Sequence, residues 1–379
     1  MSELEEILIL KIKFLAGNNI LNLSPTLLGV FFFIKINFYI RKYVFSKIYI
    51  NKEKNFIYEV GIIYKFFLQF FIVEYIKSAD CFLILPWKNR INKYKEKIYL
   101  LLFNIWNSSF SSINNFLLVK KYEHISKHKK PNSEDEFGFY LAGLIEGDGY
   151  IGKRSIEISF HISDSHLAYY IKKQIGYGNI TKYSHTKNAI RFTVWNKEGI
   201  LKVFNLINGK FFSEYKNDQI RKYLENNKYT FVILPSLYKL YPNDKVVWKN
   251  WILNNYWLSG FTDADGSFTI HMSKSKTHKL GYNMKLEYKV VQKHEDVILG
   301  IKEAFGGHHY YDNLVYRYRF ASLKEQHKLI DYFDKFQLNS SKYIRYLKWR
   351  KCYLFYLNRQ HLEAKGIKKI LNIINSLRD

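Results

Sequence analysis

Two aspartates, Asp148 and Asp265, stand 117 residues apart in matching surroundings. The first lies in FYLAGLIEGDGYIG (139–152) and the second in YWLSGFTDADGSFTI (256–270). Both runs go aromatic, Leu, small, Gly, apolar, then acid, small, Asp, Gly, and continue into an alternating apolar stretch. A lone Asp-Gly most often ends a helix in a turn. The same context twice, one small-domain length apart, points to a duplicated site. A helix C-terminus is itself partly negative and favours a cation. Two carboxylates gathered there concentrate charge that a divalent metal neutralises, and oxygen donors beside phosphate suit magnesium. Metal-assisted hydrolysis is the chemistry open to such a pair.

The elements that position them follow from the small residues. Gly143 and Gly147, and Gly260 and Ala264, fall at i and i+4 on one helical face, where they let two backbones approach closely. The motif helices are therefore expected to form a seam between two halves. Glu146 and Asp263, two residues before each aspartate, point to another face and read as structural groups. Each motif is followed by strand-like alternation (156–162 and 284–291) and a helical segment ending at Gly176 or Gly306. Two further strand-like runs (178–183 with 189–195, and 308–311 with 315–321) and a helix (197–207 and 324–336) complete each copy. The expected fold is α+β, a pseudo-twofold duplication of an αββαββα unit with two antiparallel sheets and the motif helices at the interface. The domains are expected at 137–245 and 246–379, after an extension of 1–136.

Charge names the kind of partner. With 59 Lys and Arg against 33 Asp and Glu, the chain carries a formal +26, which calls first for nucleic acid and second for an anionic membrane surface. Of these, 39 basic and 21 acidic residues lie in 137–379. A pseudo-twofold protein suits a nearly palindromic duplex. Cys81 and Cys352 are the only cysteines, too few for a disulfide framework or a Cys-rich zinc site.

The motifs identify the chain as a member of the LAGLIDADG homing endonuclease family by resemblance. LAGLIEGDG (141–149) matches LAGLIDADG at seven of nine positions, and LSGFTDADG (258–266) at six. The likeness spans about 137–379 and implies that the two antiparallel sheets are saddle-shaped. It implies an intron-encoded, site-specific double-strand DNA endonuclease that promotes homing of its host intron, acting as a monomer on a long pseudo-palindromic target. It also implies metal binding by Asp148 and Asp265, with Mg(2+) as cofactor. Lys210 and Lys342 would face the scissile phosphates, and Gln292 would stand at the site's edge, where the first copy has His161 and Ile162. Some family members are instead RNA maturases for their own intron. That role needs neither aspartate, so their retention favours cleavage.

DNA contacts are expected from the outward faces of the strands. The candidates are His161, Lys182, Lys187, Arg191, Ser273, Ser275, Arg317 and Arg319, while the interleaved Tyr310, Tyr311, Tyr316 and Tyr318 read as sheet packing. The N-terminal third has apolar bursts at 27–34, 66–76 and 98–119, each interrupted by charge or polar residues, so membrane association is not expected. Its acidic start is unlike an import presequence. Together with AT-rich codon usage, this points to synthesis inside an organelle, the mitochondrion first. Residues 127–136 read as a linker, and a fragment starting near Glu134 is expected to fold alone.

Overall fold

The computed structural model describes residues 118–124, 127–183, 188–276 and 280–377. The expected bursts at 27–34 and 66–76, and all but the last two residues of 98–119, lie outside the described residues. The compact unit carrying both motifs is Ser108–Asp379. Among the described residues no helix is long and apolar enough to cross a membrane.

Ser133 opens the first motif helix, α1 (Glu134–Asp148). Its hydroxyl accepts from Glu136 N at 3.1 Å, and Glu136 returns the favour by accepting from Asn132 N at 2.7 Å. That reciprocal cap satisfies donors a helix start would leave bare. The chain then runs through β1 (Gly149–Ile151), β2 (Ile156–His161), α2 (Ser165–Ile175), β3 (Asn179–Lys182), β4 (Ala189–Val194) and α3 (Lys197–Ile207). Three helices connect the copies: α4 (Tyr215–Asn227), α5 (Leu237–Leu240) and α6 (Lys245–Leu253). The second copy is α7 (Trp257–Asp265), β5 (Gly266–Lys274), β6 (Tyr282–Gln292), α8 (Glu295–Phe305), β7 (His308–Asp312), β8 (Val315–Phe320) and α9 (His327–Lys335). Helices α10 (Lys342–Leu357) and α11 (Ala364–Asn375) end the chain.

The two sheets are antiparallel and ordered alike, β1-β2-β4-β3 and β5-β6-β8-β7. Both are α+β halves of the αββαββα pattern. Gly149 pairs with Ile158 and Gly266 with Val290, so the motif-ending glycines hold equivalent places in register. Period-two burial sends Ile156, Ile158 and Phe160 inward with Phe268 and Ile270, and turns Ser159, His161, Ser267 and His271 outward. Helices α2 and α8 stop at Gly176 and Gly306, whose φ of +81° and +84° suits glycine.

Residues 118–124 and 127–131, which precede the first motif, form a strap packed on the second copy. Tyr122 is a core side chain, 1% exposed. Its hydroxyl donates to Asp331 Oδ1 at 2.6 Å, and its carbonyl accepts from Arg350 Nη1 at 2.8 Å. Arg350, itself buried, also reaches Asp334 through Nε and Nη2. Further along, His128 bonds the Leu338 carbonyl at 2.8 Å, and Lys129 N donates to Gln337 Oε1 at 2.7 Å. Polar composition around Pro131 concealed this, because the strap's bonds to the body reach residues more than 200 positions further along the chain.

A fragment starting at Glu134 therefore leaves Arg350 without the carbonyls of Tyr122 and His124 and opens an aromatic-sized hole. Tyr122→Ala in the full chain should cost about 3–5 kcal/mol, the range for truncating a buried aromatic. Tyr122→Phe should cost about 1 kcal/mol for the lost hydrogen bond. Thermal melts of both variants check this, and wild-type melting in Tyr122→Ala would detach the strap from the fold.

Candidate active site at the helix seam

The seam is a contact of backbones. A Cβ on Gly143 would lie 1.9 Å from the Trp257 carbonyl oxygen, and one on Gly260 would lie 1.9 Å from that of Tyr140. One turn on, a Cβ at Gly147 would be 2.4 Å from Ala264 Cβ and 3.0 Å from Asp265 Oδ2. Helices α1 and α7 thus meet at the four small residues singled out by their spacing.

Crossed hydrogen bonds lock the seam. Glu146, fully buried, accepts from Phe212 N at 3.0 Å, Ser213 N at 2.6 Å and, across the seam, Trp257 Nε1 at 2.6 Å. Asp263 accepts from Asn339 N at 2.7 Å, Ser340 Oγ at 2.5 Å and, across the seam, Tyr140 Oη at 2.7 Å. Each penultimate acid is therefore clamped by the aromatic residue of the opposite motif. Burial pushes the Glu146 carboxyl up to about 8 against the pull of its three donors. Both acids sit inside the protein as anchors for the loops that lead into α4 and α10.

Beyond the clamps the two helices end at Asp148 and Asp265. Gln292 Nε2 donates to Asp265 Oδ2 at 3.0 Å. Lys342 Nζ donates to the carbonyls of Ala264 at 2.5 Å and Thr262 at 3.1 Å. Lys216 Nζ donates to the Gly149 carbonyl and is buried. Burial, then the neighbouring charge of Asp148, pushes the Asp265 carboxyl up to about 7. Burial raises Asp148 too, against the pull of Lys342 and Lys216. Burial lowers the ammonium of Lys216 to about 8 and lowers that of Lys342. Two carboxylates and two lysines thus share one partly desolvated space.

The lysine that meets the end of α1, as Lys342 meets the end of α7, is Lys216, whereas Lys210 lies at the other end of α1. Lys210 pairs with Asp135 at 3.0 Å and bonds the Leu206 carbonyl. Asp135 and Asp148 are 13 residues apart on α1, so Lys210 lies ~20 Å from the paired aspartates at the 1.5 Å rise of a helix. Counting three residues on from Ser213 and from Asn339, whose N–H groups serve the two clamps, selects Lys216 and Lys342. In strand register the counterpart of Gln292 is Phe160 rather than His161 or Ile162, since both lie two residues beyond the partner of a motif glycine. Sequence reading also missed Tyr215, whose hydroxyl donates to the Glu146 carbonyl and whose ring stacks on His294 with centroids 3.8 Å apart. No motif flags that pair, because Tyr215 opens a connecting helix and His294 precedes a helix of the second copy.

The outward sheet faces carry most of the candidate nucleic-acid contacts. His161, Lys182 and Ser273 are exposed, and Ser275 is half-buried. Lys187 lies outside the described residues. Arg191 pairs with Glu157 at 3.0 Å and donates to Tyr183 Oη at 2.9 Å. Arg317 pairs with Asp312 at 3.0 Å, and Arg319 pairs with Glu287. Tyr318 is buried as expected of sheet packing, whereas Tyr310 and Tyr311 are at least half exposed.

Two repeats joined at a glycine-faced helix seam, with paired acids at its end, define a duplicated nuclease-type fold. The LAGLIDADG endonuclease signature matches residues 258–353. An uncharacterized cox1 intron-2 37.2 kDa protein of Schizosaccharomyces pombe is 41% identical over 272 residues, 70% of this chain and 81% of that protein. A probable intron-encoded endonuclease 4 of Neurospora crassa is 28% identical over 64% of this chain, which spans 45% of that longer protein. A solved mutant of I-SmaMI superposes with a TM-score of 0.50 at 19% identity, covering 66% of this chain and 98% of that one. The chain belongs to the LAGLIDADG endonuclease family.

Two outcomes follow from this geometry. Gly143→Leu or Gly260→Leu must part the helices, at about 1–3 kcal/mol of overpacking, and an ~1 Å shift of reacting groups can remove roughly a hundredfold of rate. Activity should fall more than melting temperature when both are measured on the same samples. The second outcome concerns pH. Asp265 titrates higher folded than unfolded, so the metal-free fold gains its contribution at low pH and loses it as pH rises from about 4 through about 7. Asp148→Asn removes the neighbouring charge and should lower the Asp265 pKa, as read by carboxyl NMR of metal-free protein.

Proposed function

We propose that this chain is a site-specific endonuclease that cuts both strands of duplex DNA with a divalent metal, magnesium first, and promotes homing of its host intron. The observation that carries the reading is the meeting of Asp148 and Asp265 with Lys216 and Lys342 at the end of a backbone-to-backbone seam. The donor set fits a hard cation: the charge of Asp148 raises the proton affinity of Asp265, and a divalent ion would offset that charge. Asp148 and Asp265 would hold it, and when bound it would supply Lewis acidity at a phosphate and an acidified water. Gln292 fixes the orientation of the Asp265 carboxylate. Lys216 and Lys342 place ammonium groups where phosphates would arrive, held by the helix-end carbonyls so that little reorganisation accompanies binding. The outward faces of both sheets supply Arg191, Arg317, Arg319 and Lys182 to base edges.

One chain holds both acids, so a monomer suffices. The similarity to a cox1 intron protein of a fungus supports mitochondrial expression and makes an intron-less cox1 exon junction the first substrate to try. The maturase reading relies on the same basic surface but has no use for the two aspartates.

Incubation of purified protein with intron-less junction DNA and magnesium should give one double-strand cut. Asp148→Asn and Asp265→Asn should each reduce cleavage by at least about a hundredfold, the scale of losing one electrostatic stabiliser from an active site, with DNA affinity retained. Intact DNA with wild-type protein, together with stimulated splicing of intron RNA, would replace this reading with the maturase.

A further inference from the structure

The outward face of the second sheet holds a carboxylate that the cleavage chemistry does not use. Glu287, on the central strand β6, has a side chain only 3% exposed. It accepts from Lys289 Nζ at 2.7 Å, from Arg319 Nη2 on β8, and lies 3.4 Å from His271 Nε2 on β5. Three strands therefore converge on one anion. Burial pushes its carboxyl up, but the donated bonds of Lys289 and Arg319 outweigh that and hold it below the usual glutamate range. The three bases around it stay 37–50% exposed and line an open groove with Lys285, Tyr310 and Arg317. The first sheet has a simpler version, in which Glu157 holds one base, Arg191, and accepts from Ser155 Oγ.

A free arginine on a sheet pairs with whichever phosphate it meets, which adds affinity for any sequence. An arginine fixed by a carboxylate keeps its remaining N–H groups aimed one way and has its charge partly offset. That arrangement suits the two acceptors of guanine in the major groove. A surface ion pair contributes little to stability by itself, and a glutamate is a poor choice for a central strand on packing grounds. Resting on the DNA-cleavage reading above, we propose that Glu287 is a specificity-determining positioning residue. It holds Arg319 and Lys289 as a fixed donor pair that reads one guanine-bearing base pair, and its charge suppresses sequence-independent binding to phosphates.

The test measures binding of the full chain, without magnesium, to the intron-less junction duplex, its single-base-pair variants and an unrelated duplex across salt concentrations. Glu287→Gln should bind the unrelated duplex several-fold more tightly. Its salt dependence should steepen by about 0.9 in log-log slope if one released cation takes a phosphate. Discrimination at one G·C pair should fall about tenfold. Arg319→Ala should lose discrimination at that same pair, and the double variant should lose no more there. Wild-type discrimination at every position in Glu287→Gln, or a uniform loss of affinity for all duplexes, overturns the assignment. A wild-type chain that does not prefer the junction over the unrelated duplex overturns the endonuclease reading and the assignment together, which separates the two failures.

Discussion

Everything near the paired aspartates depends on two backbones touching. At Gly143 and Gly260 the space a Cβ would fill is already occupied by a carbonyl of the facing helix. That contact sets the separation of α1 and α7, and so the separation of whatever stands at their ends. Dispersion at such short range is lost steeply with distance, so the seam tolerates little drift. The strands leave the seam at Gly149 and Gly266 in the same register, which carries its pseudo-symmetry into both sheets.

Electrostatics breaks that symmetry. Both helix ends carry an aspartate and receive a lysine, but only Asp265 has the amide of Gln292 upon it, and the first copy has Phe160 in that register. Lys216 approaches the carbonyl one residue after Asp148, while Lys342 approaches the one before Asp265. The two halves of the site are therefore unequal in hydration and proton affinity within a nearly symmetric frame. Because the two acids interact, their titrations belong to the pair.

Much of this was legible from residue types and spacing. The duplicated element order, the helix-ending glycines and the small-residue seam are local patterns, and local patterns survive in sequence. The inward turn of Glu146 and Asp263 followed from helical geometry alone. What was illegible depends on tertiary closure. Lys210 and Lys216 lie in one lysine-bearing stretch, and only the path of the loop anchored at Ser213 decides which returns to the centre. The strap of 118–124 and 127–131 has a polar composition, and its bonds to Asp331, Arg350, Leu338 and Gln337 form only once the chain has closed on the second copy. The stack of Tyr215 on His294 joins residues whose neighbourhoods say nothing of each other.

The crossed clamps have a consequence for how such a protein can change. Tyr140 completes Asp263, and Trp257 completes Glu146, so neither copy contains the full set of partners its own acid requires. A half exchanged with that of a relative inherits a donor shaped for the wrong acceptor unless the matching aromatic travels with it. The smallest heritable unit is thus the interlocked pair of motifs, and the two copies, once fused, are bound to diverge in step at these four positions while their sheet surfaces remain free to vary.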